Sequence, residues 1–199
     1  MPSRPRSVTE RRLAWLLIVG GLVGLAAAFV LTAEKFALLA DPTYVPSCSI
    51  NPVMSCGSVM SSSQAEVFGF PNPLLGLVGF TAVAVTGAAL LGGARLPGWY
   101  RAGLQVGVTF GMLFVHWLAF QSLYRIGALC PYCLVVWAVT IPLFWYVTLD
   151  NLTTGPDQGR AGRLAWWVRD FHGVVLTLWL LTFVVAIAVR FWDSWLLLW

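Results

Sequence analysis

Four cysteines carry the residue chemistry of this chain. Cys130 and Cys133 form a C-x-x-C pair in "IGALCPYCLV", and Cys48 and Cys56 form a C-x7-C pair in "PSCSINPVMSCGS". Two dithiols in one chain can relay electrons by thiol–disulfide exchange, in which a thiolate attacks one disulfide sulfur and displaces the other. Pro131 suits a first helical turn, so Cys130 sits where a helix dipole and unpaired N–H groups favour a thiolate. A thiol so placed is both a better nucleophile and a better leaving group. Two static readings compete with the relay. A tetrathiolate zinc site needs four converging sulfurs, but C-x7-C is not a zinc-knuckle spacing. Two structural disulfides stapling the outer face of a bundle are physically unobjectionable. "CPYC" also occurs in soluble glutaredoxins, but there it opens a helix of a βαβ fold, and no segment here alternates with the period of a strand.

The elements that must position these thiols are membrane helices. Apolar residues make up 59% of the 199 and charged residues 10%, with a mean hydropathy of +0.80, too little polar surface for a water-soluble globule of this size. Each crossing of the bilayer takes about 20 apolar residues, and five such stretches occur, near 13–33, 74–91, 102–121, 129–149 and 174–191. The predicted class is an all-α integral membrane protein, one membrane domain over 1–199, with no internal repeat. The first stretch is longer than a signal-peptide core of about 7–15 residues, which predicts a retained helix. "GGARLPGWYR" and "DNLTTGPDQGRAGR" supply breaks between spans, and Asn72-Pro73 offers a cap and first-turn proline for the second.

Orientation follows from the basic residues, because cytoplasmic loops retain Lys and Arg. With the N-terminus inside, Arg4, Arg6, Arg11, Arg12, Arg95, Arg101, Arg160, Arg163 and Arg169 fall on the cytoplasmic side, and Lys35, Arg125 and Arg190 fall outside. The net charge of +4 is thus a topology signal and implies no nucleic-acid partner. All four cysteines then face the same, extracytoplasmic side of an inner (plasma) membrane, where disulfides form and persist. The outer segment 34–72 mixes apolar and small polar residues. Asn51-Pro52 reads as a cap and first turn and Ser63-x-x-Glu66 as a capping box, so the segment is expected to form short helical turns that lid the bundle.

The ordered set of Cys48, Cys56, Ser62, Asn72 and a C-x-x-C opening the fourth span resembles the vitamin K epoxide reductase family, in particular its bacterial members that oxidise protein thiols. The likeness covers roughly residues 10–150. It implies a four-helix bundle around a quinone, to which this chain adds a fifth transmembrane helix, and a role like that of DsbB, whose two cysteine pairs come in the opposite order. On that resemblance Cys48 exchanges with a separate, extracytoplasmic thioredoxin-fold (DsbA-like) thiol oxidase. Cys56 then attacks across to Cys130, and Cys130–Cys133 passes two electrons to menaquinone or ubiquinone, with Cys133 nearest the ring. Ser62 matches a position that supports the loop, and Asn72 one that hydrogen-bonds a quinone oxygen.

Some features depart from the family or stand apart from it. Animal members carry a tyrosine four residues after the second cysteine of C-x-x-C, where this chain has Trp137. An aromatic wall for the ring is kept and the phenolic hydrogen bond is lost, which favours quinone reduction over the alternative, reduction of a quinone epoxide. Some relatives continue into a thioredoxin-like domain after the fifth helix; this chain ends at Trp199, which implies a partner on a separate chain. His116 is expected to bond a backbone carbonyl inside span three, the alternative being a proton relay to reduced quinone. His172 is expected near the cytoplasmic end of span five, and the tryptophan-rich tail "RFWDSWLLLW" as an interfacial anchor.

Overall fold

The computed structural model describes residues 8–51, 53–154 and 170–192. Arg4, Arg6, Pro52, Arg160, Arg163, Arg169 and residues 193–199 of the tail lie outside the described residues. The all-α class holds: among the described residues there is no strand, only an isolated bridge. The long helices are α1 (Val8–Ala40), α3 (Pro73–Gly92), α4 (Gly98–Gln121), α5 (Pro131–Thr154) and α6 (His172–Arg190), with a short α2 (Cys56–Met60) between the first two. Five of these helices are long and apolar enough to cross a membrane, so the chain is a multi-pass membrane protein.

The apolar run stops at residue 33, yet α1 continues through Glu34 and Lys35 to Ala40. Both charged side chains are buried because the outer segment supplies their partners, so the helix need not end where hydropathy falls. The fourth helix starts at Pro131, directly after Cys130, as the first-turn proline predicts.

α1 packs most extensively on α3 and also on α5, and α5 in turn meets α4. The α1–α3 seam is made of small residues. A Cβ built on Gly21 would stand 2.7 Å from the Ala84 backbone nitrogen, and one on Gly87 would stand 2.7 Å from the Ala14 carbonyl oxygen. Lipid tails are as apolar as leucine, so helices in a membrane associate through close backbone approach rather than hydrophobic burial, and glycine permits that approach. α4 and α5 are joined at the end remote from the thiols by a polar network. There the Arg101 guanidinium donates to Asp150 Oδ2 at 2.8 Å, Gln105 Nε2 donates to Thr148 Oγ1 at 2.9 Å, and Asn151 Nδ2 donates to Gln105 Oε1 at 2.9 Å. Arg11, Arg12 and Arg95 belong to this same end by helix order.

α3 and α4 meet at few points, one being the Tyr100 hydroxyl 2.6 Å from Thr86 Oγ1. The four helices α1, α3, α4 and α5 therefore surround a cavity. α6 leans on the outside of α4 and α5: Trp179 Nε1 donates to His116 Nε2 at 3.0 Å, and Arg190 Nε donates to the Leu123 carbonyl at 2.9 Å. Indole N–H can only donate, so the His116 proton sits on Nδ1, which bonds the Met112 carbonyl at 2.8 Å. The carbonyl-bonded reading of His116 is the one found; with both ring nitrogens engaged, it is not poised as a proton relay. The His172 carbonyl accepts from Trp145 Nε1 at 3.1 Å, at the end of the bundle away from the cysteines.

The outer segment contains short helical turns, though not all of the expected ones. Asn51 Oδ1 accepts from the backbone N–H groups of Val53 and Met54 at 3.0 and 2.7 Å, but the turn leads into an extended pairing instead of a helix. A 3-10 turn spans Ser63–Glu66, and no capping box forms. Glu66 is drawn instead to the Lys35 ammonium at 2.8 Å, a stronger partner than a backbone N–H. Ser63 Oγ donates to Gln64 Oε1.

Candidate active site

The thiol site is built on a clamp between two loops. α4 closes in a π turn, Ser122–Ile126, and Gly127 reverses the chain at φ +71°, a conformation in the left-handed region that suits a residue without a side chain. Ser122 Oγ donates to the Ala128 carbonyl at 2.7 Å, and the buried Leu129 then pairs with the outer segment. Its N–H donates to the Val53 carbonyl at 2.7 Å, and its carbonyl accepts from the Ser55 N–H at 2.9 Å. This is a single parallel bridge between Met54 and Leu129. Its consequence is chemical, because the next residue on one side is Cys130 and on the other, two residues on, Cys56.

Cys56 opens α2 and its sulfur lies 3.1 Å from that of Cys130. Cys48 and Cys56 are joined in a disulfide, while Cys130 and Cys133 are free thiols. The sulfurs of Cys48, Cys56 and Cys130 lie within 4.8 Å of one another, and these residues are 5%, 0% and 1% exposed. Sulfurs this close could also hold a metal, but two of them are bonded to each other and so are not thiolate ligands. The arrangement is a thiol in contact with one sulfur of a disulfide, the geometry that exchange requires.

Hydrogen bonding holds the Cys130 thiol below its ordinary range. The largest cause is the hydrogen bond from the Cys133 thiol; the backbone N–H groups of Cys133 and Tyr132 add to it, against a raising effect of burial. Those amides are the unpaired donors of the first turn of α5, as the position of Pro131 predicts.

Cys133, one turn into α5, borders the cavity, which has a volume of about 500 Å³. Its walls are almost wholly apolar, and Trp137, Phe80, Phe114 and Leu143 belong to them. Trp137 is buried and its ring packs against that of Phe183 on α6. Ser62 and Asn72 also border the cavity, yet both side chains are engaged by the loop. Ser62 Oγ donates to the Val59 carbonyl at 2.6 Å. Asn72 Nδ2 donates to the Gln64 carbonyl at 2.7 Å and its Oδ1 accepts from the Val67 N–H at 3.2 Å. Asn72 therefore does not cap α3 with its side chain; it braces the 3-10 turn above the cavity, with one amide hydrogen and one lone pair left over.

Sequence reasoning missed Lys35, Glu34 and Leu129. Lys35 Nζ donates to the Met60 carbonyl at 2.7 Å besides pairing with Glu66, so it fastens α2 and the 3-10 turn to α1. The available signal was an ionisable residue at the end of an apolar span, which by itself marks a functional position. Leu129 carried none, since one bridge is too short to show a period.

A model of the vitamin K epoxide reductase family matches residues 15–148, more than half of the chain. No curated protein matches the chain.

Proposed function

The chain belongs to the vitamin K epoxide reductase family, and from that premise we propose that it is a thiol:quinone oxidoreductase that regenerates an extracytoplasmic thioredoxin-fold disulfide donor. The observation that carries this reading is the 3.1 Å contact between Cys56 and Cys130 at the rim of an apolar cavity bordered by Cys133. Two static staples would call for two disulfides; here one disulfide stands against a free dithiol.

A thiolate of the reduced partner attacks Cys48, forming a mixed disulfide and releasing Cys56 as thiolate. Cys56 attacks Cys130 of an oxidised Cys130–Cys133 pair, forming Cys56–Cys130 and releasing Cys133. The partner's second thiol resolves the mixed disulfide, leaving oxidised partner and free Cys48. Cys48 attacks Cys56, restoring Cys48–Cys56 and releasing Cys130, which is the bonding pattern of the structure. The lowered pKa of Cys130 favours its departure in that last step. Two electrons and two protons have then passed from the partner's dithiol to the Cys130–Cys133 pair.

A quinone bound beside Cys133 would supply the two-electron, two-proton acceptor that lets Cys130 and Cys133 close to a disulfide. The cavity fits such a group: it is apolar, large enough for a ring with part of an isoprenoid tail, and bordered by Trp137 and Asn72. Menaquinone and ubiquinone both meet these demands. A DsbA-type partner, near −120 mV, needs an acceptor of higher potential, which glutathione is not. Val45 and Ile50, each 71% exposed, flank Cys48 and offer apolar contact to that partner. The basic residues at the opposite end support an inner-membrane orientation with the cysteines outside.

The test is quinone reduction, followed by absorbance, on purified protein given a reduced thioredoxin-fold donor. Wild type is expected to turn over and Cys133→Ala to stop. Turnover by Cys133→Ala at the wild-type rate would overturn the reading.

A further inference from the structure

The two halves of the outer disulfide are held in different ways. Cys56 is fixed from behind by the backbone bonds of Val53 and Ser55 to Leu129. Ahead of Cys48, Tyr44 and Ser47 are tied back to α1 through the Glu34 side chain. Glu34 Oε2 accepts from the Tyr44 hydroxyl at 2.9 Å and from the Ser47 N–H at 3.3 Å, and Oε1 accepts from the Ser47 hydroxyl. Ser47 and Tyr44 are themselves exposed, whereas Glu34 and Cys48 are buried, at 9% and 5% exposure. A buried carboxylate thus reaches outward to grip the residue next to Cys48. As the structure stands, the disulfide is covered from outside.

We propose that Glu34 is a positioning residue, a latch that keeps residues 44–47 folded over the Cys48–Cys56 disulfide and withholds it from external thiols until it releases. The inference rests on the reading above that Cys48 is the sulfur an outside thiol meets. Its hinge follows from the bonds on the other side of Cys48. The Ser49 hydroxyl accepts from the Gly57 N–H at 3.2 Å, and the Ile50 N–H donates to the Met54 carbonyl at 2.8 Å. Residues 49–51 therefore stay with the fixed half and Cys48 stays bonded to Cys56, so release lifts 44–47 and breaks the bond from the Ser49 N–H to the Pro46 carbonyl at 2.9 Å. Lys35, the next residue on α1, grips Met60 and Glu66 instead, so adjacent charges hold separate parts of the same loop.

The experiment measures reduction of Cys48–Cys56 in purified protein by a small water-soluble phosphine, which needs neither quinone nor protein partner. Failure of quinone turnover therefore leaves this test intact. Hydrogen bonds to a carboxylate are worth enough that losing the grip corresponds to about tenfold faster reduction or more. Glu34→Gln should reach that acceleration, Ser47→Ala, which leaves the bonds from the Tyr44 hydroxyl and the Ser47 N–H, a smaller one, and the double variant should be no faster than Glu34→Gln, because both act on one latch. Cys56–Cys130 cross-linking on oxidation, measured in a Cys48→Ser background, should be unchanged by Glu34→Gln. Reduction at the wild-type rate in both single variants would overturn the proposal. So would multiplied effects in the double variant, or lost cross-linking, which would mean general loosening of the loop. If Glu34→Gln fails to fold, Ser47→Ala combined with Tyr44→Phe, which removes both hydroxyl bonds to Glu34, decides: faster reduction than wild type is expected, and an unchanged rate would overturn the proposal.

Discussion

Replacing Lys35 with methionine tests what keeps α2 and the 3-10 turn seated over the thiols. The Lys35 side chain is 8% exposed, and its ammonium makes two contacts, one to the Met60 carbonyl at 2.7 Å and one to Glu66 at 2.8 Å. A hydrogen bond from a charged donor contributes about 1.5–3 kcal/mol. The ion pair adds at most about 1 kcal/mol, since the Glu66 side chain is 39% exposed and screened by water. Removing a buried ammonium also relieves its desolvation, so the net loss is about 1–3 kcal/mol. At about 1.4 kcal/mol per factor of ten, a form with α2 and the 3-10 turn unseated should become about 5- to 150-fold more populated. Maleimide labelling of Cys130, mapped by mass spectrometry with Cys48–Cys56 intact, should accelerate by that factor. Glu66→Gln should accelerate it less, since it leaves the Met60 bond in place. An unchanged labelling rate in Lys35→Met would refute the reasoning, and equal acceleration by the two variants would refute the ranking of the contacts.

Three other outcomes follow from the geometry. Gly21→Ala should lower the thermal stability of the detergent-solubilised protein by about 1–3 kcal/mol, because its Cβ would meet the Ala84 backbone at 2.7 Å. Gly79→Ala, with nothing within 4 Å, is the control and should be neutral or mildly stabilising. Alkylation of Cys130 should reach half its maximal rate at a pH below the ordinary thiol value of about 8.5, and Cys133→Ala, which removes the chief hydrogen bond, should move that midpoint upward. By the same sign, a thiol lowered in the folded state stabilises the fold fully above its unfolded pKa. That contribution is lost as pH falls through the lowered value, which a pH series of melting curves would register. Leu129→Pro removes the N–H that reaches Val53 and should cut Cys56–Cys130 cross-linking about tenfold or more, by quantitative gel shift; undiminished cross-linking would mean that helix packing alone sets the contact.

Much of this molecule is legible in its sequence because its signals are long or chemically loud. Five apolar runs of helical length, and a proline directly after Cys130, announce the helices and the thiol at the head of α5. What escaped reading depends on partners distant in sequence. Glu34 and Lys35 look like the end of a span until residues 44–66 cover them. Ser63-x-x-Glu66 looks like a capping box until a buried ammonium claims the carboxylate. Asn72 looks like a helix cap until the loop it precedes in space takes both ends of its amide. The Met54–Leu129 bridge leaves no pattern at all, since a single pair of residues has no period. Hydropathy thus fixes which segments cross, while the thiol contact depends on a few directional bonds that composition does not encode.

The Leu129 bridge has a mechanical corollary. Because the backbone on both sides of the sulfur contact is clipped together locally, Cys56 and Cys130 travel as one unit. The spacing of these two sulfurs is therefore set by backbone bonds beside the contact itself and not by the separation of α3 and α4 across the chamber.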